Sequence, residues 1–236
     1  MPGLGYPTAQ DTMQLNTIRF FGAHFGGPHA GNTMKIIVIG ASGTIGRSVV
    51  GVLSRGNEVI KVSRSSGDRR ADIEDKASLE ELFAKIGRSD AIVCAAGSAA
   101  FKPLASLSND DFAMSLKSKM MGQVNVVRVG SRYVIPGGSI TLTSGTLAQE
   151  PIPGGAAVSL VNGALESFAR AAALELETSG VRVNVVSPPW VTETLLAFRM
   201  DPSIGLPASE VAKAYLESVG SSLTGQVIKP RHSSAT

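Results

Sequence analysis

Three glycines at three-residue spacing could bind a phosphate group. Gly40, Gly43 and Gly46 lie between the apolar run 36–39, which predicts a buried parallel strand, and a helix predicted from Arg47. A strand, a glycine turn and a helix together direct backbone N–H groups at a pyrophosphate, and glycine lacks the Cβ that would block a close approach. The triplet alone could also be a tight turn without a ligand; the flanking strand and helix disfavour that alternative.

A polar loop at the end of the second predicted strand bears on the choice of nucleotide. An acid about 20 residues after the glycine turn would bind a ribose 2′-hydroxyl and repel a 2′-phosphate. Here the loop contains Ser63, Arg64 and Ser65. The guanidinium of Arg64 offers a fork of donors to a phosphate, and the serines add hydroxyl groups. The loop therefore favours NADP(H) over NAD(H), unless Arg64 is only a solvated loop residue.

Strands and helices alternate along the chain from Met34. The predicted strands are 36–40, 58–63, a short third strand that ends at 71–73, 90–97, 138–144, 181–187 and 225–228. The predicted helices are 47–53, 78–86, 110–128, 156–177 and 208–219. Ser108 is the predicted N-cap of the third helix because acids follow it in the first turn. The alternation predicts an α/β fold, a single doubly wound parallel sheet of the Rossmann type with helices on both faces.

Composition excludes several classes of protein. The chain has 236 residues, which suffices for one domain with a full core, and its net charge is +3. No apolar run reaches the roughly 18 residues of a membrane span, and no cluster of lysine and arginine with interleaved aromatics indicates nucleic-acid binding. The single cysteine, Cys94, fits a reducing compartment. We expect a cytoplasmic protein with no membrane partner, no nucleic-acid partner and no metal.

The two ends of the chain differ from its middle. Residues 1–33 contain one acid, one base, six glycines and three prolines, which predicts a disordered extension or an upstream start that is not the native one. An apolar cluster, 18–25, could instead dock on the domain. We predict a nucleotide-binding domain over residues 34–229 and a flexible tail over 230–236.

The order of these motifs resembles the short-chain dehydrogenase/reductase family over residues 34–228. The matching segments are the glycine turn 40–46, the acid at 72–73, the strand end 94–97, the strand-end serine 142–144, the long helix 165–176 and the segment 183–194. The resemblance implies a hydride-transferring oxidoreductase with NADP(H) as its cofactor. It implies cofactor binding by Gly40, Ser42, Gly43, Thr44, Ile45, Gly46, Ser63, Arg64, Ser65, Asp72, Ile73, Ala95, Ala96, Gly97, Pro188, Val191 and Thr192.

The chain departs from the family at the acid–base pair. The family carries a Tyr-x-x-x-Lys motif, and Val158 and Asn162 stand at those two positions here. Valine supplies no proton, although a positioned acid typically contributes about 10²–10⁴-fold to the rate. Lys119 stands where the family has an asparagine. We therefore predict Ser144, Lys119 and Asn162 as the catalytic residues.

Each of these three residues has a role and a plainer alternative. Lys119 could donate a proton, because burial beside a cationic nicotinamide would lower the pKa of its ammonium group; it could also be a solvated helix lysine beside Lys117. Asn162 could bond the nicotinamide ribose or be an ordinary polar helix residue. Ser144 could bond a substrate carbonyl or only satisfy backbone groups.

Three functions fit this pattern. The first is an NADP(H)-dependent oxidoreductase that acts on a small carbonyl or activated alkene with a non-standard proton donor. The second is a catalytically inactive NADP(H)-binding sensor or partner subunit, and the third is a lyase or isomerase on the same fold. The small-molecule substrate would lie against an apolar wall predicted within 190–207, from Leu195, Leu196, Phe198 and Met200. Small residues on the helix 156–177, together with the resemblance, predict a homodimer or homotetramer.

Overall fold

The computed structural model describes residues 33–231, and residues 1–32 and 232–236 lie outside the described part. Most of the predicted N-terminal extension and of the predicted tail therefore falls outside it. The strands are β1 (Lys35–Ile39), β2 (Glu58–Ser63), β3 (Arg69–Arg70), β4 (Ser89–Cys94), β5 (Val134–Thr143), β6 (Arg182–Val186) and β7 (Val227–Ile228). The helices are α1 (Thr44–Leu53), α2 (Lys76–Ile86), α3 (Asn109–Ser115), α4 (Gly122–Gly130), α5 (Ala156–Glu175), α6 (Thr192–Ala197) and α7 (Ala208–Gly220).

The seven strands form one parallel sheet in the order β3-β2-β1-β4-β5-β6-β7. The order reverses direction between β1 and β4, which is the point where ligands bind in doubly wound sheets. Strands of such a sheet are covered on both faces, so they are apolar throughout. Ile36, Ile37 and Val38 of β1 are accordingly inaccessible to solvent. The predicted fold class is confirmed.

Two apolar clusters cover the two faces of the sheet. Ile36 and Val38 pack in one cluster with residues of α1 and α7, while Ile37 and Ile39 pack in the other with residues of α2, α4 and α5. The alternation follows from the two-residue period of a strand. Each fully buried Ile or Leu side chain stabilises the folded state by about 1.5–3 kcal/mol. Packing on both faces therefore holds the carboxyl ends of the strands in place. None of the helices within residues 33–231 is both long and apolar enough to cross a bilayer.

The third predicted helix is not one continuous α-helix. Ser108 is its N-cap as predicted, with a reciprocal capping box to Asp111. The helix then widens into a π-helical segment, Leu116–Met121, before α4 continues it. A π segment inserts an extra residue into a turn and often lies at a functional site. Lys119 lies within this segment.

Several predicted boundaries were wrong. The short strand β3 ends at Arg70, just before the predicted strand end at 71–73, and β5 begins at Val134, four residues earlier than predicted. The register between β4 and β5 shifts between Ser89 and Ala91, so the extra length of β5 carries an irregularity. The short helix α6 was not predicted at all. Short elements at sheet edges carry too few residues for a clear periodic pattern.

Candidate active site

The glycine turn between β1 and α1 leaves no room for side chains. Gly40 has φ +86°, and a Cβ on it would lie 2.5 Å from the Ala95 carbonyl oxygen. A Cβ on Gly46 would lie 2.0 Å from the Gly40 carbonyl oxygen. Gly43 is the N-cap of α1, and no side chain in the described residues caps this helix. The first N–H groups of α1, on Thr44 and Ile45, are therefore open to an anion.

The turn is tied to the end of β2. The Gly40 amide donates to the Val62 carbonyl oxygen at 2.8 Å, and the Ser42 amide donates to Ser63 Oγ at 3.1 Å. Arg47 Nη1 donates to the Ser42 carbonyl oxygen at 2.7 Å across the turn. Ser63 is buried and its hydroxyl supports the turn, a role that the sequence did not indicate.

Three arginines gather beside the end of β2. Arg64 and Ser65 are exposed in the loop that follows this strand, as predicted. On the neighbouring strand, Arg69 and Arg70 are also exposed, and Arg70 lies opposite Ser63 in the register. Sequence reasoning missed Arg69 and Arg70, although a pair of arginines after a Gly-Asp turn was a readable signal. Arg64, Arg69 and Arg70 are thus close in the chain and in the sheet register, and Arg69 Nη1 donates to the Asp68 carbonyl oxygen at 2.8 Å.

Asp72 and Ile73 lie in the chain just after β3. The Asp72 carboxylate accepts a hydrogen bond from the Glu74 amide at 2.9 Å. The Ile73 side chain is buried and packs on α4, where a Cβ on Gly122 would lie 2.6 Å from Ile73 Cδ1. Ile73 therefore fixes the position of α4 through its side chain.

The loop after β4 packs directly on the π-helical segment. The Ala95 amide continues the sheet by donating to the Ile39 carbonyl oxygen at 2.8 Å. Gly97 has φ +118°, and a Cβ on it would lie 2.7 Å from Lys119 Cα. The predicted strand-end glycine thus sets how closely Lys119 approaches the sheet.

A cavity of about 310 Å³ opens at the carboxyl ends of the central strands. The predicted site residues that line it are Ile45, Ala95, Ala96, Gly97, Lys119, Ser144, Asn162, Pro188 and Val191. The predicted residues that do not line it are Gly40, Ser42, Gly43, Thr44, Gly46, Ser63, Arg64, Ser65, Asp72, Ile73 and Thr192. The first group surrounds the cavity. The second group belongs to the glycine turn and to the neighbouring β2–β3 edge of the sheet, except Thr192, which begins α6.

Lys119 lies in the wall of this cavity. Its Nζ donates to the Ser144 carbonyl oxygen at 3.1 Å. Burial lowers the pKa of its ammonium group to about 8, because desolvation disfavours the charged form. The side chain is partly buried rather than solvated. A lysine with this pKa can release a proton near neutrality.

Ser144 meets a buried carboxylate. Its Oγ donates to Glu166 Oε1 at 2.9 Å, and Ser187 Oγ donates to the same oxygen at 3.0 Å. Gln149 Nε2 donates to the other oxygen, Oε2. Sequence reasoning missed Glu166. The available signal was its place four residues after Asn162, on the same face of α5.

Comparison with known proteins assigns the family. A family model described as Enoyl-(Acyl carrier protein) reductase matches residues 52–222. The chain belongs to the short-chain dehydrogenase/reductase family. Hydroxynaphthalene reductase arp2 of Aspergillus fumigatus is 28% identical over 142 residues, which are 57% of this chain and 52% of that protein. The chain therefore spans about half the length of that relative.

Two solved structures share the fold at closer range. The crystal structure of the protein lin1944 from Listeria innocua is 39% identical, with a TM-score of 0.80, and the match covers 84% of this chain and 99% of that one. A small-chain dehydrogenase crystallised in complex with NADPH is 28% identical, with a TM-score of 0.74, and the match covers 84% and 96% of the two chains. The family resemblance drawn from the motifs is confirmed.

In this short-chain dehydrogenase/reductase, Val158 and Asn162 both line the cavity. Val158 offers no proton. Asn162 is buried, and its Nδ2 donates to the Gly145 carbonyl oxygen at 3.3 Å. Asn162 Oδ1 is buried without a hydrogen-bond partner in the described part of the chain. A buried acceptor without a partner costs about 1–3 kcal/mol, so a donor from a ligand or a water would stabilise it.

A side-chain clamp holds the end of β5 in place beneath the cavity. Gln123 Nε2 donates to the Thr143 carbonyl oxygen, and the Thr143 amide donates to Gln123 Oε1, both at 2.8 Å. Thr143 Oγ1 donates to the Cys94 carbonyl oxygen at 2.7 Å.

Burial raises the pKa of the Cys94 thiol to about 12, so this cysteine is neutral and unreactive. Within residues 33–231, no group of three His, Cys, Asp or Glu side chains could hold a metal ion.

Most of the remaining cavity wall is apolar, and Thr143, Thr146 and Thr194 are the hydroxyl-bearing exceptions among the lining residues. The rings of Phe101 and Trp190 meet edge to face with centroids 5.6 Å apart, and both line the cavity. Phe198 lines it as predicted. Leu195 is instead fully buried, and the predicted wall residues Leu196 and Met200 are exposed outside the cavity lining. The short helix α6 therefore presents only part of its apolar surface to the site.

Proposed function

We propose that this protein is an NADP(H)-dependent oxidoreductase that transfers a hydride to or from a small carbonyl or activated alkene substrate. Its family supports this reaction class. The observation that carries the proposal is a side-chain-free glycine turn that leads into a cavity whose polar end holds Lys119, Ser144 and Asn162. Nucleotide and substrate would meet there at the strand ends.

The residues of the glycine turn fit a dinucleotide. Added Cβ atoms at Gly40 and Gly46 would collide with backbone, so the turn keeps its N–H groups open at the helix start. Arg64, with Arg69 and Arg70 beside it, would pair with a 2′-phosphate. The NADPH-bound relative supports the same choice. When bound, NADP(H) would supply or accept the hydride at the nicotinamide ring.

Lys119 is the proposed proton donor. Its Nζ has three protons, and one is directed to the Ser144 carbonyl oxygen. A second proton can pass to the substrate oxygen as the hydride reaches the substrate carbon. The carbon–oxygen double bond is thereby reduced, the lysine is left neutral, and water reprotonates it. In the reverse direction neutral Lys119 takes the proton from an alcohol.

Asn162 is the proposed partner of the nicotinamide ribose. Among residues 33–231 its buried Oδ1 has no hydrogen-bond partner, and a ribose hydroxyl would satisfy it. The neighbouring Nδ2 is held by the Gly145 carbonyl oxygen, which fixes the amide with Oδ1 as the acceptor. Asn162 would therefore orient the nucleotide rather than move a proton.

Two residues of the cavity wall also favour a second function. Because Val158 and Asn162 replace an acid and its partner, the protein could bind NADP(H) without transferring hydride and act as a sensor or partner subunit. The two functions differ in one measurable step. The sensor binds the nucleotide and leaves it unchanged.

Two titrations and one assay test the proposal. Purified protein is titrated with NADPH and with NADH by fluorescence, and bound NADPH is then followed at 340 nm with a panel of ketones, aldehydes and enones. Tight NADPH binding with oxidation by at least one substrate supports the oxidoreductase. Binding without oxidation by any panel member supports the sensor, and no binding of either nucleotide overturns both.

We also propose a cytoplasmic homodimer or homotetramer. On the small-residue face of α5, Leu165, Ala169 and Ala172 are buried in the core of their own chain, whereas Ala164 and Phe168 are partly exposed. The opposite face of α5 exposes Leu160 and Leu174, at 47% and 74% of their surface. These two exposed leucines support self-association. A monomeric mass by light scattering would contradict it.

A further inference from the structure

A buried carboxylate governs the serine at the polar end of the cavity. Glu166 is 3% exposed and accepts hydrogen bonds from Ser144, Ser187 and Gln149. In each of these bonds a carboxylate oxygen of Glu166 is the acceptor. Three donors therefore converge on Glu166, and two of them are hydroxyl groups directed at one oxygen.

The bond to Glu166 decides which way the Ser144 hydroxyl points. A serine has one hydroxyl proton and two lone pairs. The Ser144 proton is committed to Glu166 Oε1 at 2.9 Å, so the oxygen is left with lone pairs for any other partner. Ser144 lines the cavity, whereas Ser187 does not. Ser144 consequently meets a ligand as an acceptor of hydrogen bonds and not as a donor.

Lys119, next to Ser144 in the cavity wall, offers a hydrogen-bond donor where Ser144 offers an acceptor. Its ammonium group only donates, and its Nζ lies 3.1 Å from the carbonyl oxygen of Ser144 itself. A donor and an acceptor therefore stand side by side. Much of the remaining wall is apolar, with Phe101, Val158 and Trp190 among its members. A simple ketone satisfies Lys119 and leaves Ser144 without a hydrogen to accept.

We propose that Glu166, by holding the proton of Ser144, makes the site selective for substrates that carry a hydroxyl group beside the reacting carbonyl. The carbonyl oxygen faces Lys119, and the neighbouring hydroxyl donates to Ser144 Oγ. Glu166 acts through Ser144, so it is a positioning residue. This inference rests on the proposed oxidoreductase function and adds the class of its substrate, a hydroxyketone.

A binding assay tests this selectivity without requiring turnover. Trp190 lines the cavity and is the only tryptophan of the chain, so its fluorescence reports occupancy. Protein saturated with NADP⁺, which has no hydride to give, is titrated with 2-hydroxycyclohexanone and with cyclohexanone. We expect the hydroxyketone to bind about 3- to 10-fold more tightly, the range for one net hydrogen bond.

Variants at Glu166 separate positioning from general structure. Glu166→Met removes the acceptor, frees the Ser144 proton to donate to a plain ketone, and should abolish the preference. Glu166→Gln keeps an acceptor oxygen and should retain it. Ser187→Ala is the matched control. It removes the other hydroxyl from Glu166 Oε1 and should leave the ratio of the two ketone affinities unchanged. If Glu166→Met only damaged the structure, both ketones would bind more weakly by the same factor, and the ratio of their affinities would not change.

Equal affinities in the wild type, or a preference that survives in Glu166→Met, would overturn the inference. Should Glu166→Met fail to fold, Ser144→Ala decides, because removal of the hydroxyl oxygen must also abolish the preference. NADP⁺ affinity is measured first on each protein. Normal NADP⁺ binding without a hydroxyketone preference counts against this inference alone, whereas no NADP⁺ binding in the wild type counts against the proposed function as well.

Discussion

The two halves of the site are built from different materials. The nucleotide half consists mainly of backbone, since Gly40 and Gly46 matter for the side chains that they lack. The substrate half consists of side chains, among them Lys119, Ser144 and Glu166. Backbone geometry tolerates few substitutions, whereas a polar network can be assembled from several residue types. Substitutions in the nucleotide half should therefore disturb the site more than conservative exchanges in the substrate half.

The largest expected effect is on the glycine turn. In Gly46→Ala the new Cβ would lie 2.0 Å from the Gly40 carbonyl oxygen, so the turn must open. We expect loss of measurable NADPH binding and a fall in the free energy of unfolding of about 1–3 kcal/mol, as for other overpacked sites. Fluorescence titration and urea unfolding measure both. Gly51→Ala is the control on the same helix, because nothing lies within 4 Å of its new Cβ. Nucleotide binding that persists in Gly46→Ala would contradict the backbone account.

Lys119→Met tests the side-chain half. Loss of a positioned acid should lower kcat/KM for carbonyl reduction by about 10²–10⁴-fold, while NADPH affinity stays near that of the wild type. Steady-state kinetics and a nucleotide titration measure the two quantities. Lys117→Met is the control, since the Lys117 side chain is exposed and its ion pair with Glu74 spans 3.4 Å. An equal loss in both variants would assign the effect to charge alone.

Arg64→Asp tests whether side chains also matter at the outer end of the nucleotide half. A carboxylate there should repel a 2′-phosphate and bind a ribose hydroxyl, so NADPH affinity should fall by about 10- to 100-fold, equivalent to one or two charge-assisted hydrogen bonds, while NADH affinity should rise. Arg55→Asp carries the same change of charge in the exposed turn after α1. A specific phosphate contact would be ruled out if Arg64→Asp lost affinity for NADPH and NADH alike. It would also be ruled out if Arg55→Asp lost as much NADPH affinity as Arg64→Asp.

The pH profile of reduction tests the same lysine without mutation. The pKa of Lys119 is lowered to about 8 by burial, so its ammonium form is lost as pH rises through that value. We expect kcat/KM for reduction to fall about tenfold per pH unit above pH 8, because only the protonated form donates. A flat profile up to pH 10, with protein that remains folded, would exclude Lys119 as the donor.

The smallest effect concerns stability. The pKa of Lys119 falls from 10.5 to about 8 on folding, so its charge opposes folding below pH 8, and this cost fades as pH rises toward 10.5. Lys119→Met should therefore be more stable than the wild type at pH 7, and the difference should narrow by pH 10. Urea unfolding of both proteins at the two pH values measures it. A constant difference would mean that burial does not shift this lysine.

Elements with a local signature could be predicted from the sequence. The apolar run of β1, the glycine spacing and the Ser108 cap each depend on residues close together in the chain, and each was predicted correctly. The doubly wound parallel sheet followed from the alternation of strands and helices, whereas the order of its strands came from the structure. The π-helical segment could not be predicted in this way, because one extra residue in a turn leaves hardly any mark on the periodicity.

The sequence by itself determined where the backbone could meet a phosphate, since glycine is the residue that leaves that space open. Only the tertiary structure decided the chemistry of the substrate half. Ser144 and Glu166 are 22 residues apart, and Ser144 and Lys119 are 25 apart. Their contacts arise because β5, α5 and the π-helical segment converge at one edge of the sheet. No local pattern records which side chains such a convergence brings within hydrogen-bond distance.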